Sequence, residues 1–299
     1  MNRIFSRVFP NPNQSVCASL ELTRYPLRVQ NYIRESIGTT EAFLGKGCID
    51  SVILFGSTAQ CQCEAISDVD LLIIVKNDIT DERLKKLEPI LKALEIKHEY
   101  DQYSTNWVTA ILRVVEKTTG MFVSHFVCQR EKWEKNEFSL VFNTNRLMTF
   151  FLAPEKLVFE SMKDGAVALY GNALDSYKPV KTFSFLQLFK SLMMDMTISI
   201  GTLAILVLRR KNIKYALESF KWALRSGYTY MYKKTGRVHE IAKKFVQLGL
   251  NKIYMKKFLF LRHQLDANLD YQFAFLLPYY ILKVHVLSFA YRKVLEKDS

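Results

Sequence analysis

Two carboxylates, Asp68 and Asp70, stand two residues apart at the head of an apolar run, Val69 to Val75, of sequence VDLLIIV. Ten residues, Thr58 to Ser67, separate them from the pair Gly56-Ser57. If the run is a strand, alternation turns both carboxylates to one face, where their oxygens can share a hard divalent cation such as Mg²⁺ or Mn²⁺. Such a cation neutralises charge on a triphosphate and aligns an in-line displacement. A glycine lets backbone approach phosphate closely, and a serine hydroxyl with neighbouring N–H groups can donate to phosphate oxygens. These types at this spacing suit phosphoryl-type transfer, which asks a protein for position, charge and donors. The plainer reading is an edge strand whose two aspartates are solvated or capping.

The string GSTAQCQCEAISDVDLLIIV, residues 56–75, resembles the signature of the DNA polymerase β nucleotidyltransferase superfamily, in which a Gly-Ser turn precedes an Asp-x-Asp strand. The gap is similar to that of the minimal and aminoglycoside nucleotidyltransferases. The resemblance implies that Gly56 and Ser57 bind the phosphates of a nucleoside triphosphate and that Asp68 and Asp70 hold the metal. It also implies a third carboxylate on a later strand. Here the chain departs from the pattern, because Met121 to Cys128 offers Ser124 or His125 in that place. His125 titrates near neutrality and is a candidate general base, although a lone histidine in an apolar strand is commonly a packed residue. Glu99 and Asp101 are alternative acids.

Elements must place these residues. Ile49 to Phe55 is short, apolar and rich in β-branched residues and stops at a glycine, as a buried strand does. Asp81 to His98 repeats Leu84, Leu87, Leu91 and Leu94 at helical spacing, with acids at its start and bases at its end. A helix at 105–117, a strand at 121–128 and a late strand at 166–170 follow. After Pro179 the strand pattern vanishes, and helices are predicted at 185–210, 213–233, 238–247, 252–265 and 271–295, with short connections. The expected architecture is α+β: a polymerase β-like domain over 1–175, a mixed sheet with helices on one face, followed by an all-α bundle over 176–299.

Charge separates the same two parts. Residues 1–180 hold 21 Lys and Arg against 22 Asp and Glu, a net −1, while 181–299 hold 21 against 7, a net +14. Clustered basic charge attracts polyanions, so RNA is the favoured acceptor, although a solvated basic surface has the same composition. Tyr228, Tyr230 and Tyr232, interleaved with lysines, can stack on bases or fill a helical core. No secretory signal is visible, because Pro10 and Pro12 interrupt the start, and Ile198 to Leu208 is too short to span a bilayer. Five cysteines without paired spacing fit free thiols in a reducing compartment. The expectation is a cytoplasmic nucleotidyltransferase with no membrane partner that moves a nucleoside monophosphate to RNA, a protein or a small molecule. The alternative is a catalytically degenerate module of the same fold that binds RNA or a protein.

Overall fold

The computed structural model describes residue 16 and residues 20–60, 69–100, 124–177, 183–208, 213–263 and 271–295. They form two compact units. Described residues up to 144, together with 166–177, make the first, and 145–165 with 183–295 make the second.

The first unit begins with α1, Leu27–Leu44, whose buried Val29, Tyr32, Ile33, Ser36, Ile37, Thr40 and Leu44 recur every three or four residues. It ends at Gly45, where φ is 108°. Its last carbonyls, Phe43 and Leu44, accept from the Arg83 guanidinium at 3.1 and 3.0 Å, which satisfies groups a helix terminus leaves open. Strand β1, Ile49–Phe55, runs antiparallel to β2, Asp70–Val75. Helix α2, Asp81–Lys97, then crosses the sheet. Strand β3, His125–Gln129, lies parallel to β2, and β4, Val167–Tyr170, lies antiparallel to β1. The order is β3-β2-β1-β4. A parallel pair needs a long crossover, and α2 supplies it.

Alternation divides the sheet's side chains. Leu71, Ile73 and Val75 join Val52 and Leu54 in a core with Ile33 and Ile37 of α1 and Leu87, Leu91 and Leu94 of α2. Leu72 and Ile74 point the other way, and on that face Phe55 stacks on Phe126, which meets Phe142 edge-on. Both long helices thus cover one face, while the other carries short helical turns around Trp133 and Phe138, both buried. The Trp133 indole donates to the Ala173 carbonyl at 2.9 Å, so the chain after β3 is tied to the chain after β4.

The second unit comprises α3, Arg146–Leu152, α4, Glu155–Asp164, α5, Phe185–Leu208, α6, Lys214–Tyr232, α7, Val238–Gln247, α8, Lys252–His263, and α9, Tyr271–Leu295. Phe220, Phe245, Phe258, Phe273 and Ile281 are fully buried in a shared core. Tyr230 packs with Leu157, Phe183 and Leu188, and Tyr228 and Tyr232 lie partly buried against the main core. Core filling is therefore the use these tyrosines find. By length and composition α9 is apolar enough to cross a membrane. Its Phe273, Leu277, Ile281 and Val284 nevertheless face the protein core.

The division differs from a single boundary at 175. Residues 145–165 leave the first unit and 166–177 return to it. The reason is physical: β4 pairs its backbone with β1, whereas α4 buries Leu157 among Phe183, Leu188 and Tyr230. A composition scan assumes one unbroken run per domain, and the described chain passes between the units three times.

Gly171, just past β4, lies close against β1. Its φ is +71°, and a Cβ there would stand 2.3 Å from both the Asp50 carbonyl oxygen and Ser51 Oγ. Gly171→Ala should therefore lower unfolding stability by about 2 kcal/mol or more, from left-handed backbone and overlap together. An unchanged urea midpoint would show that the two segments are not held this close.

Candidate functional site

The register of β1 on β2 sets Phe55 opposite Asp70, so the end of one strand and the head of the next lie side by side. The chain turns at once into a short helical segment, Gly56–Ala59. Gly56 has φ +74°, and a Cβ built on it would lie 1.9 Å from Asp70 Oδ2 and 2.9 Å from Asp70 Cγ. The carboxylate thus occupies the volume where a side chain of residue 56 would begin. Asp70 is half-buried, while Ser57 and Thr58 are buried in the turn. Gly56, Ser57 and Asp70 therefore come together in one corner of the sheet. Asp68 and Asp101 lie outside the described residues.

A carboxylate cradled on a glycine is a hard oxygen donor of the kind Mg²⁺ or Mn²⁺ accepts. Among the described residues no group of three or more His, Cys, Asp or Glu gathers into a ligand set. Among the described residues, Asp70 is the one that would hold a metal at this corner.

His125 does not face this corner. It is in register with Leu71, which lies in the core beneath α2. Side chains paired across adjacent strands share a face, so His125 points to the helix layer and Asp70 to the opposite one. There its Nδ1 stands 2.8 Å from Glu95 Oε1, and both side chains are almost wholly buried. The same Glu95 oxygen accepts the Ser124 backbone N–H at 2.7 Å, and Lys92 Nζ lies 2.6 Å from Glu95 Oε2. Burial alone would push the Glu95 carboxyl up, but His125 and Lys92 outweigh it and hold the group at about 2. The histidine expected as a base is here one member of a buried polar cluster that pins β3 to α2.

Ser124 takes the other side. Leu71 N–H donates to the Ser124 carbonyl at 3.0 Å, which makes Ser124 the neighbour of Asp70, and alternation assigns its side chain to Asp70's face. The position beside Asp70 thus carries a hydroxyl where the resembling family carries a carboxylate. Glu99, with φ 59°, is exposed beyond the end of α2, next to His98, which is held by Glu35 at 3.0 Å. Glu95 was the residue that sequence reading passed over. Its signal was a single acid in the second half of an amphipathic helix, and only the helix's placement over β3 gives it meaning.

A second gathering of serine, histidine and aspartate is sealed inside the helical unit. Ser191 Oγ lies 3.2 Å from His285 Nε2 and 3.3 Å from Asp195 Oδ2. Burial pushes the Asp195 carboxyl well above the usual range and the His285 imidazole down to about 4. With His285 Nδ1 2.8 Å from the Ile281 carbonyl, the trio is a neutral, internally bonded element of the core and offers nothing to a substrate.

No family model matches the sequence, and no curated protein sequence matches it either. Among solved structures, the chain is similar to spectinomycin adenyltransferase AAD(9) from Enterococcus faecialis, determined with ATP and spectinomycin. The TM-score is 0.51 at 12% identity, over 87% of this chain and 98% of that one. The chain has the fold of a nucleotidyltransferase.

Two outcomes follow from the geometry of the corner and of the cluster behind it. Gly56→Ala should displace the Asp70 carboxylate and reduce nucleotide binding about tenfold or more, read by equilibrium dialysis with ATP and Mg²⁺; unchanged binding would mean that the corner does not receive the nucleotide. Glu95, held at about 2 against an ordinary 4.5, gives stabilisation that is complete above pH 4.5 and is lost as pH falls toward 2. Glu95→Gln should cost about 3 kcal/mol at neutral pH and flatten the acid limb of the stability curve. An identical limb in wild type and variant would remove Glu95 as its source.

Proposed function

We propose that this chain transfers a nucleoside monophosphate from a nucleoside triphosphate to an acceptor hydroxyl, with release of pyrophosphate. The observation that carries the reading is the Asp70 carboxylate seated against Gly56 where β1 and β2 meet, in a fold similar to that of an adenyltransferase. In this reaction the acceptor oxygen forms a bond to the α-phosphorus. The bond from that phosphorus to its bridging oxygen breaks, and pyrophosphate carries the electron pair away.

Gly56 presents backbone at close range to the phosphates, and N–H groups of the turn at 56–59 supply donors. The Ser57 hydroxyl adds another. Asp70 with Asp68 holds Mg²⁺ or Mn²⁺, which when bound offsets the charge on the phosphates and leaving group. ATP is the first nucleotide to test, because the similar structure was determined with it. RNA as acceptor is supported by the net +14 of residues 181–299, which attracts phosphate. A small molecule is supported by the spectinomycin in the similar structure.

One observation favours a second reading. Ser124 is Asp70's neighbour across the strands and His125 is turned away to Glu95, so neither residue expected at this place offers Asp70's face a base. A proton acceptor is worth about a hundredfold or more in rate, and its loss would leave a nucleotide-binding module.

Purified protein incubated with α-labelled ATP, CTP, GTP or UTP, Mg²⁺ and either cellular RNA or lysate distinguishes the two. Transfer should appear on one class of acceptor and vanish in Asp70→Asn, while His125→Ala should leave any turnover within a few fold once corrected for folded protein. Nucleotide binding without label on any acceptor would select the binding module. Full turnover by Asp70→Asn would place the chemistry elsewhere.

A further inference from the structure

The helical unit presents aromatic and aliphatic side chains to solvent along a connected path. Phe150 and Phe151 of α3 are 65% and 60% exposed and stack edge to face, with centroids 5.2 Å apart. Lys190 of α5 stands 5.2 Å over the Phe150 ring. One residue along, Phe189 is 6.3 Å from Phe185, which in turn meets Phe289 of α9 at 5.0 Å. Lys293 lies 4.5 Å over that last ring. Leu147 and Leu186 are more than half exposed on the same two helices, α3 and α5. A soluble surface seldom gathers this much apolar area without a use.

We propose that this face docks on an anionic lipid surface, lying on the bilayer rather than crossing it. Charge points to that occupant. Helices α3 and α9 contain no acidic residue, and the single acid of α5, Asp195, is fully buried. The cations are Arg146, Lys190, Lys283, Arg292 and Lys293. Exposed rings and aliphatic chains on helices whose solvent-facing charges are all cations match a headgroup boundary, where apolar side chains enter the acyl edge and ammonium groups meet lipid phosphate. Two of the lysines, Lys190 and Lys293, hold their ammonium groups over ring faces of the patch itself.

A second copy fits less well, since a two-fold contact sets a surface against itself and would bring these cations together. RNA would use the rings for stacking and the lysines for phosphate, but Leu147, Leu186 and Met193 have no π face to offer a base. Crossing is disfavoured by α9 itself, whose Phe273, Leu277, Ile281 and Val284 are buried against the other helices. The inference replaces the sequence expectation of no membrane partner, and it is independent of whether the corner at Asp70 transfers nucleotides.

The test is flotation of the full chain with vesicles of phosphatidylcholine, pure or with about a third phosphatidylglycerol, at low and at physiological salt. The protein should float with the anionic vesicles under both conditions. Phe150→Ser/Phe185→Ser, and separately Leu186→Ser, should bind about tenfold or more weakly with unchanged melting temperature. All three positions are more than half exposed, so folding is not at stake in either variant. No flotation with anionic vesicles at low salt overturns the proposal. Equal flotation of wild type and both variants also overturns it, leaving only general basic charge. A wild-type dimer that the variants convert to monomer, without vesicle binding, would assign the face to a second copy. RNA affinity lost in the same variants, with vesicle binding absent, would assign it to nucleic acid.

Discussion

The corner at which β1 ends and β2 begins is governed by a single exclusion. Asp70 Oδ2 lies 1.9 Å from where a Cβ on residue 56 would be, so a side chain at that position would have to displace the carboxylate. Glycine takes without strain the φ of +74° that turns the chain into its helical segment, and it leaves room for a carboxylate folded back over the turn. The proposed transfer would use this closeness, since donors to phosphate and a metal-holding oxygen would both act on one triphosphate. The rest of the first unit holds the two strand ends in place: α1 and α2 press on one face, and Phe55, Phe126 and Phe142 close the other.

Buried charge secures the elements around this corner. Glu95 accepts from the Ser124 backbone, contacts His125 and pairs with Lys92, so one carboxylate sets the height of β3 against α2. The register that makes Ser124 the neighbour of Asp70 follows from it. In the helical unit Glu218 plays a comparable part, with Arg262 at 3.0 Å and Lys221 beside it, while burial lowers the Lys221 amine. Replacing such clusters by apolar residues is often neutral for stability, whereas removing one member strands a charge. Their contribution here is to admit one alignment of the packed elements.

The helical unit meets two demands with the same helices. Aromatic stacking, as in Tyr254 against Phe273 at 4.7 Å and against Tyr280 at 3.7 Å, fills its interior. Its outer surfaces stay apolar as well, with Phe275, Tyr279, Leu282 and Val286 exposed along α9 at helical spacing. A helix apolar on every side carries no amphipathic signal, so composition suggests burial throughout. The packed neighbours alone decide which stripe is buried and which is left for a lipid surface.

What the sequence determined by itself was local. The β-branched runs at 49–55 and 69–75, the leucine period from 81 and the long apolar helices after 183 matched their observed elements closely, because period and termination are written in neighbouring residues. The nearness of Gly56-Ser57 to Asp70 was legible for the same reason, since both motifs are short and lie close together in sequence. Helix α1 was not read, because its buried stripe mixes Ser36, Thr39 and Thr40 with Ile33 and Ile37 and so blurs the hydrophobic period. His125 was read as a candidate base because its type and its strand were visible and its face was not. Which way a strand turns depends on the register it finds against its partner, and here the Leu71 to His125 pairing and the Glu95 carboxylate on a distant helix decide it. The division of the chain has the same cause: α4 buries its apolar face with Phe183, Leu188 and Tyr230, and β4 returns to β1, through contacts between residues far apart in sequence that only the folded chain brings together.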